Sequence, residues 1–297
     1  MSYLVSVLVR TKDRPTLLQR AIRSVYAQTL RPIEIIVVND GISEVNSPST
    51  VIEEPSSIKI TMIDNIGTGR SAAANTALNR ANGKFCLFLD DDDEIEPDHL
   101  QLLTDALTRD NTAVASYSET ICVLNGDKTK PIKIYDEPYS RNTLAIQNFL
   151  PMHSVLFRRS ALNEAQFDTS LNLYEDWLFW LQLSREGNFI KVDHQTAIYH
   201  LDESGIGGRT NIDFEEERKA FLRAAMPLMT ADQLVFMQQS AILFFREQTV
   251  THELRLEIDR LKLKNKTLET RLADAGSIHK VIGLCVRVLR RLRPSKL

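Results

Sequence analysis

Three short runs in the N-terminal third are almost wholly apolar: Leu4–Val9, Ile33–Val38 and Phe85–Leu89. A strand with one wet face alternates apolar and polar residues. Runs that do not alternate belong to strands covered on both faces, as in a parallel sheet layered with helices. The intervening sequence supplies those helices. Over Pro15–Gln28, Leu17, Leu18, Ala21, Ile22 and Val25 fall on one face, with Pro15 at the entry and Asp13 as a candidate cap. A further strand over Ile58–Ile63 and a helix over Arg70–Ala81 complete the order β-α-β-β-α-β. That order demands crossovers, and hence an α/β fold with a mostly parallel, Rossmann-like sheet and flanking helices.

Beyond residue 97 the pattern loosens. A helix is expected over Pro97–Thr108, strands over Ala113–Val123 and within Lys128–Pro138, and an amphipathic helix over Tyr174–Arg185. Thr196–Tyr199 is strand-like, and Ser204–Gly208 reads as a mobile stretch suited to a lid. From 213 onward the chain reads as helical: an extension over 213–252, then two specialised segments. In 253–275, Leu254, Ile258, Leu261, Asn265, Leu268, Leu272 and Ala275 alternate four and three residues apart. That is a short coiled-coil seam with a polar Asn to set register, which predicts a homodimer; a helix packed on its own domain is the alternative. In 276–297, Ile278, Val281, Ile282, Cys285, Leu289 and Leu292 share a helical face opposite Lys280, Arg287 and Arg291. A basic amphipathic helix of this kind suits an anionic membrane surface, unless it docks on protein.

Charge sharpens that contrast. Lys and Arg number 36 against 39 Asp and Glu, a net −3, yet 276–297 holds no acidic residue. The remaining body is acidic and a poor nucleic-acid binder. Three cysteines without a CxxC pair fit a reducing compartment, with Cys86 a small core residue. No basic leader opens the chain, and no apolar run approaches the ~20 residues of a spanning helix. The expectation is a cytoplasmic protein, peripheral at most on the inner face of a membrane.

The third apolar run ends in Asp90-Asp91-Asp92-Asp93-Glu94. Neither a core nor a plain turn needs adjacent like charges. Oxygen-only ligands at the carboxyl end of a strand suit a hard divalent cation, Mg²⁺ or Mn²⁺. A solvated acidic turn is the bland alternative. An EF-hand loop is excluded because Ile95 stands where that loop needs Gly. In a parallel sheet Asp40, after the second strand, lies on the same edge. Glu175-Asp176, opening a later helix, adds a third carboxylate group. These acids could serve proton transfer, or merely favour the helix dipole.

Taken together the motifs resemble a family 2 glycosyltransferase of the GT-A fold, the inverting kind found in bacterial surface-polysaccharide synthesis. The resemblance runs from Val5-Ser-Val-Leu-Val-Arg-Thr11 with Arg14-Pro15, through Glu34-Ile-Ile-Val-Val-Asn-Asp40-Gly41 and Asn65-Ile-Gly67. It continues in Ser71-Ala-Ala-Ala-Asn75, Ala81-Asn-Gly83-Lys-Phe and Asp90–Asp93, and ends in His153-Ser-Val-Leu-Phe-Arg158-Arg159 and Glu175-Asp176-Trp177. It implies a transferase domain over 1–212, with a nucleotide-binding half (1–97) and an acceptor half (98–212). It implies a nucleotide-diphosphate sugar donor, UDP or dTDP, and a glycan or lipid-linked acceptor. Thr11 and Asp40 would bracket the base, with Asp64 beside the nucleoside. Asp90 and Asp92 would hold the metal, Asp91 would face ribose or groups around the metal ligands, and Asp176 would be the catalytic base. A late histidine, His200, would complete the metal shell, or be an ordinary loop residue. Where the family often has Arg before Asn75 this chain has Ala74, so Arg70 becomes the candidate for the diphosphate. The Gln-x-x-Arg-Trp motif of processive synthases is absent, which implies single-sugar addition.

Two other classes compete. A haloacid-dehalogenase-like phosphatase also places D-x-D after a strand, though with Thr or Val where Glu94 stands here. A non-catalytic coiled-coil assembly subunit could carry a degenerate transferase domain, against which stand the intact carboxylates at all three places.

Overall fold

The computed structural model describes residues 3–42, 57–201, 213–243, 259–262, 264 and 266. The chain divides into two compact units, Met1–Val235 and Phe236–Leu297. In the first, β1 (Val5–Thr11), α1 (Pro15–Tyr26), β2 (Ile33–Asn39), β3 (Ile58–Asp64), α2 (Arg70–Arg80) and β4 (Phe85–Asp90) realise the expected alternation. After them come β5 (Glu94–Ile95), α3 (His99–Arg109), β6 (Ala115–Leu124), β7 (Lys133–Tyr135), α4 (Arg141–Ile146), β8 (Val155–Arg158), α5 (Glu175–Ser184), β9 (Phe189–Leu201) and α6 (Phe214–Ala225).

One sheet runs β3-β2-β1-β4-β8-β6-β9-β5, with β7 beside β6. Strands β1 to β4, β6 and β9 share one direction, and β5, β7 and β8 oppose it. The apolar runs behave as strands covered on both faces should. Val5, Val7, Val9, Ile33, Ile35, Val37, Phe85, Leu87 and Leu89 join Leu18, Ile22 and Val25 of α1 and Leu100, Leu103 and Leu107 of α3 in one core. The alternate residues Leu8, Ile36, Val38, Cys86 and Phe88 join Ala73, Ala74 and Ala77 of α2 and the apolar side chains of α5 in the other. Period-two geometry thus sends neighbours to opposite layers.

Four local expectations need correction. Asp13 does not cap α1; it takes a left-handed φ of 54°, and the helix starts at Pro15 without a side-chain cap. Helix α5 is not amphipathic: Leu178, Phe179, Trp180, Leu181 and Leu183 are all buried. It is covered on two sides, because Phe179 packs on Phe88 and Phe157 while Trp177 stacks on Phe221 of α6 at 4.3 Å. Strand β8 had no strand expectation. Strand β9 spans 13 residues where only Thr196–Tyr199 looked like strand, since Lys191, Asp193 and His194 break its apolar pattern.

In the second unit the described residues 236–243, 259–262, 264 and 266 are helical. Of the predicted coiled-coil seam only Leu261 is described, and it is exposed. The rest of that seam, Ser204–Gly208, and the basic segment 276–297 lie outside the described residues. Among those that are described, no helix is long and apolar enough to cross a membrane.

Candidate active site

Strand order reverses at β1: α1 leads outward to β2, whereas α2 carries the chain from β3 back to β4 on the other side. The crevice beyond the carboxyl ends of such strands is where open α/β sheets bind ligands. Thr11 and Asp90 end those two strands, with Arg10 directly opposite Asp90 in the register. Asp40 follows β2 and Asp64 ends β3, so all four stand on one edge.

The acid turn is held in place by cations and hydroxyls from β1 and α1. Arg10, buried at the end of β1, donates through Nε to Asp90 Oδ1 at 2.9 Å and lies 3.6 Å from Glu175 Oε1. Burial opposes ionisation of Asp90, but Arg10 and then Arg70 overcome it and bring its pKa down to about 2. Asp91 points inward, wholly buried, and accepts from Thr11 Oγ1 at 2.7 Å and Arg14 Nε at 3.2 Å. Burial still lifts its pKa to about 6. Asp92 is the open member, with its side chain 36% exposed and bonded to Arg14 at 2.8 Å. Asp93 is buried; its Oδ2 meets His153 Nδ1 at 3.0 Å and its Oδ1 accepts the His200 backbone N–H at 3.0 Å. Burial raises the Asp93 pKa, whereas the His153 pKa rises because the facing carboxylate outweighs burial.

Oxygens of Asp90, Asp92 and Asp93 come within 4.8 Å of one another. Three carboxylates form an all-oxygen donor set, which fits a hard divalent cation. The ring of His200 lies elsewhere in this arrangement: its Nε2 is 2.6 Å from Glu94 Oε2, on β9 rather than on a loop.

Beyond β2, Asp40 Oδ1 accepts from Asn65 Nδ2 at 2.7 Å and from the Gly69 N–H at 3.0 Å. Gly69 has φ 88°, a conformation that costs glycine little and other residues more. Its twist leads straight into α2 and Arg70. The Arg70 Nε reaches Glu175 Oε1 at 2.8 Å, and its NH2 lies 3.8 Å from Asp90 Oδ2. Glu175 therefore sits between two guanidiniums. Asp176 beside it accepts its neighbour's backbone, Trp177 N–H, on Oδ1 at 2.8 Å and Asn148 Nδ2 on Oδ2 at 3.1 Å. Burial first, and the Glu175 charge second, raise the Asp176 pKa to about 6, against the pull of Arg70 and Arg10.

Asp90, Asp93, Arg70, His153, Glu175 and Asp176 all line one cavity of about 270 Å³. Asp90 and Asp93 of the acid turn and the Glu175-Asp176 pair, far apart in sequence, thus face a common space, which Asp91 and Asp92 do not line.

The family model described as "Glycosyl transferase family 2" matches residues 6–165. This chain belongs to that family. Among similar proteins, the uncharacterized glycosyltransferase YwdF of Bacillus subtilis is 26% identical over 227 residues, covering 73% of this chain and 81% of YwdF. The GalNAc(5)-diNAcBac-PP-undecaprenol beta-1,3-glucosyltransferase of Campylobacter jejuni is 26% identical over 217 residues, or 70% of this chain and 69% of that enzyme. The fold is shared with S. aureus TarS 1–349 in complex with UDP-GlcNAc, at TM-score 0.60 and 19% identity over 74% of this chain and 66% of TarS. It is shared too with the mannosyltransferase PcManGT from Pyrobaculum calidifontis, in complex with GDP-Man and Mn²⁺, at TM-score 0.52 and 18% identity over 82% and 74% of the two chains. The chain is a glycosyltransferase with the GT-A fold.

Three residues around this cavity carried no role in the sequence: Arg10, Arg14 and Asn148. Arg10 gave a signal, since a charge inside an apolar strand must find a partner. Asn148 gave none, because its link to Asp176 exists only after folding.

Proposed function

We propose that this chain transfers one sugar, with inversion, from a nucleotide-diphosphate sugar (UDP or dTDP) to a hydroxyl of a glycan or lipid-linked acceptor. One observation carries the reading: Asp90 and Asp93 of the acid turn line the same cavity as the carboxylate of Asp176, with Asp92 next to them in the acid cluster. In this reading Asp40 and Thr11 receive the base, with Asp64 and Asp91 at the nucleoside side. Arg70, partly exposed and one helical turn before Ala74, supplies the cation for the diphosphate. Asp90 and Asp92, with Asp93 nearby, would hold a divalent cation, Mn²⁺ or Mg²⁺, whose chemistry is to neutralise charge on the departing nucleotide. His200 belongs to that shell only if its ring leaves Glu94.

Asp176 takes the acceptor's hydroxyl proton as the new bond to the sugar C1 forms. The C1–O bond to the diphosphate breaks on the opposite face, and its electron pair leaves with the nucleotide. Both Asp176 oxygens accept one hydrogen bond from protein, which leaves a lone pair on each for that proton. Raising its pKa to about 6 makes it a stronger base than an exposed carboxylate while it stays ionised at neutral pH. The C. jejuni relative's undecaprenol-linked acceptor supports the lipid-linked alternative. The heptad over 254–275 supports a homodimer, and the basic face of 276–297 a peripheral site at an anionic membrane. The domain limits 1–212, 213–252, 253–275 and 276–297 belong to the same proposal.

The experiment is nucleotide-sugar turnover with Mn²⁺. Wild type should release nucleotide diphosphate, Asp92→Ala should not, and Asp176→Asn should bind UDP yet lose transfer by about 10²–10⁴. Phosphate release from simple phosphomonoesters would mark a phosphatase instead. Absence of any turnover with UDP or dTDP sugars would favour an assembly subunit.

A further inference from the structure

The cavity that holds Asp176 is lopsided. Its acid side carries Asp90, Asp93, Glu175 and Asp176, and among the described lining residues Arg70 is the only Lys or Arg. Arg70 is already bonded to Glu175 and, on the reading above, serves the donor. The remaining wall is aromatic and apolar: Tyr135 of β7, Tyr174, Tyr199 of β9 and Phe214 of α6, together with Pro151 and Met152.

Two of these aromatics stand out. Phe214 is the first residue of α6 and is 46% exposed. Tyr174 precedes Glu175 with φ 64°, in the left-handed region that bulky side chains avoid at a cost of about 1–3 kcal/mol. Glycine would hold that turn without strain. Retaining a tyrosine there places a ring beside the reactive carboxylate, though the same ring also meets Trp177 and Phe221.

We propose that this aromatic wall is the acceptor subsite and that it takes an uncharged sugar ring, rather than a polyol phosphate, a lipid phosphate or a uronic acid. The inference rests on the transferase reading of the site and narrows its acceptor. A pyranose presents an apolar C–H face that an aromatic ring covers, and a hydroxyl on its edge for Asp176. An anion entering the same space meets Asp176, which has no ion-pair partner among the described residues, whereas Asp90 and Glu175 are engaged by Arg10 and Arg70 and Asp93 by His153. A competing cation is Lys133, outside the cavity lining, whose ammonium rests on the Tyr135 ring at 3.9 Å.

Saturation-transfer NMR on the full-length protein without donor tests this directly, using a panel of neutral methyl pyranosides, methyl glucuronide and glycerol phosphate. Neutral pyranosides should give signal, and the two anions should not. Phe214→Ala and Tyr135→Ala should each weaken pyranoside binding about three- to tenfold, while Lys133→Gln should leave it unchanged. Both aromatic variants lie at partly exposed positions, and their thermal midpoints should stay near wild type. In turnover assays the acceptor KM should rise by the same factor. Stronger binding of either anion, a loss on Lys133→Gln, or pyranoside signal that survives both aromatic substitutions overturns the proposal. Failure of donor hydrolysis in wild type would instead count against the transferase reading, and the NMR result would still decide this one.

Discussion

Replacing Asp176 by Asn should stabilise the protein while destroying its activity. Burial and Glu175 move this carboxyl from 3.8 to about 6 on folding. The native state therefore holds a proton that the unfolded state has released across that interval, so stability falls as pH rises from about 4 to about 6. Above the upper value the full cost applies, about 3 kcal/mol at about 1.36 kcal/mol for each tenfold change in acidity. Asn removes that cost but keeps only part of the wild-type bonding. Its carbonyl can still accept Trp177 N–H, whereas its amide faces the Asn148 amide, donor against donor. Asn148 cannot turn over freely, because its Oδ1 accepts the Leu150 N–H at 3.2 Å. The lost bond takes back about 1 kcal/mol, which leaves a net gain of about 2 kcal/mol at pH 7.5. For a unit of this size that is an increase of about 4–8 °C in thermal midpoint.

The pH dependence separates this from a general effect of the substitution. At about pH 4 the wild-type carboxyl is protonated in the folded state and carries no charge to bury, so the advantage of Asp176→Asn should vanish there. Activity follows the same group in the opposite sense: kcat/KM of wild type should fall about tenfold for each pH unit below about 6. Thermal melts from acid to neutral pH, paired with a pH–rate profile, measure both. A variant less stable than wild type at neutral pH, or an acid limb far from 6, would refute the account of Asp176 as a base made stronger by burial.

Glu175→Gln removes the second cause of that rise while leaving Arg70 and Arg10 in place, so the acid limb should move below 6; an unmoved limb in the pH–rate profile would contradict the coupling. Glu34→Ala should cost about 2–3 kcal/mol by urea unfolding, because buried Glu34 Oε1 accepts from Ser6 Oγ at 2.6 Å, Asn82 N–H at 2.6 Å and Gly83 N–H at 3.1 Å. Gly83→Ala should cost about 1–3 kcal/mol or fail to fold, since a Cβ there would stand 2.5 Å from the backbone nitrogen of Ser6 in β1. Chelation of divalent cations should abolish nucleotide-sugar turnover, and added Mn²⁺ should restore it, with thermal midpoint as the parallel readout of binding.

The N-terminal half of the fold was legible because its strands are covered on both faces. Val7 and Leu8 enter opposite cores, as do Leu87 and Phe88, and only a layered parallel sheet absorbs such runs. Strands β8 and β9 escaped the same logic for a physical reason. Val155–Arg158 is four residues long, and β9 crosses a register shift against β6 at Ser118 and Glu119. Local pattern is weakest where pairing is irregular.

The site divides along the same line. Thr11, Asp40 and Asp90 could be placed on one edge because parallel strands end together, so sequence position and spatial position coincide. His153, Asn148 and Glu175 reach the cavity through a short 3₁₀ turn, an irregular loop and a helix start, and no periodicity governs those. What the charges require is nevertheless partly written in the chain. Arg10 lies inside an apolar strand and must be neutralised, and the strand beside it ends in Asp90. Its second contact, Glu175, then ties β1 to the start of α5. One buried guanidinium thus explains why two carboxylate groups distant in sequence share a cavity, and why either acid removed alone would leave a buried charge short of a partner.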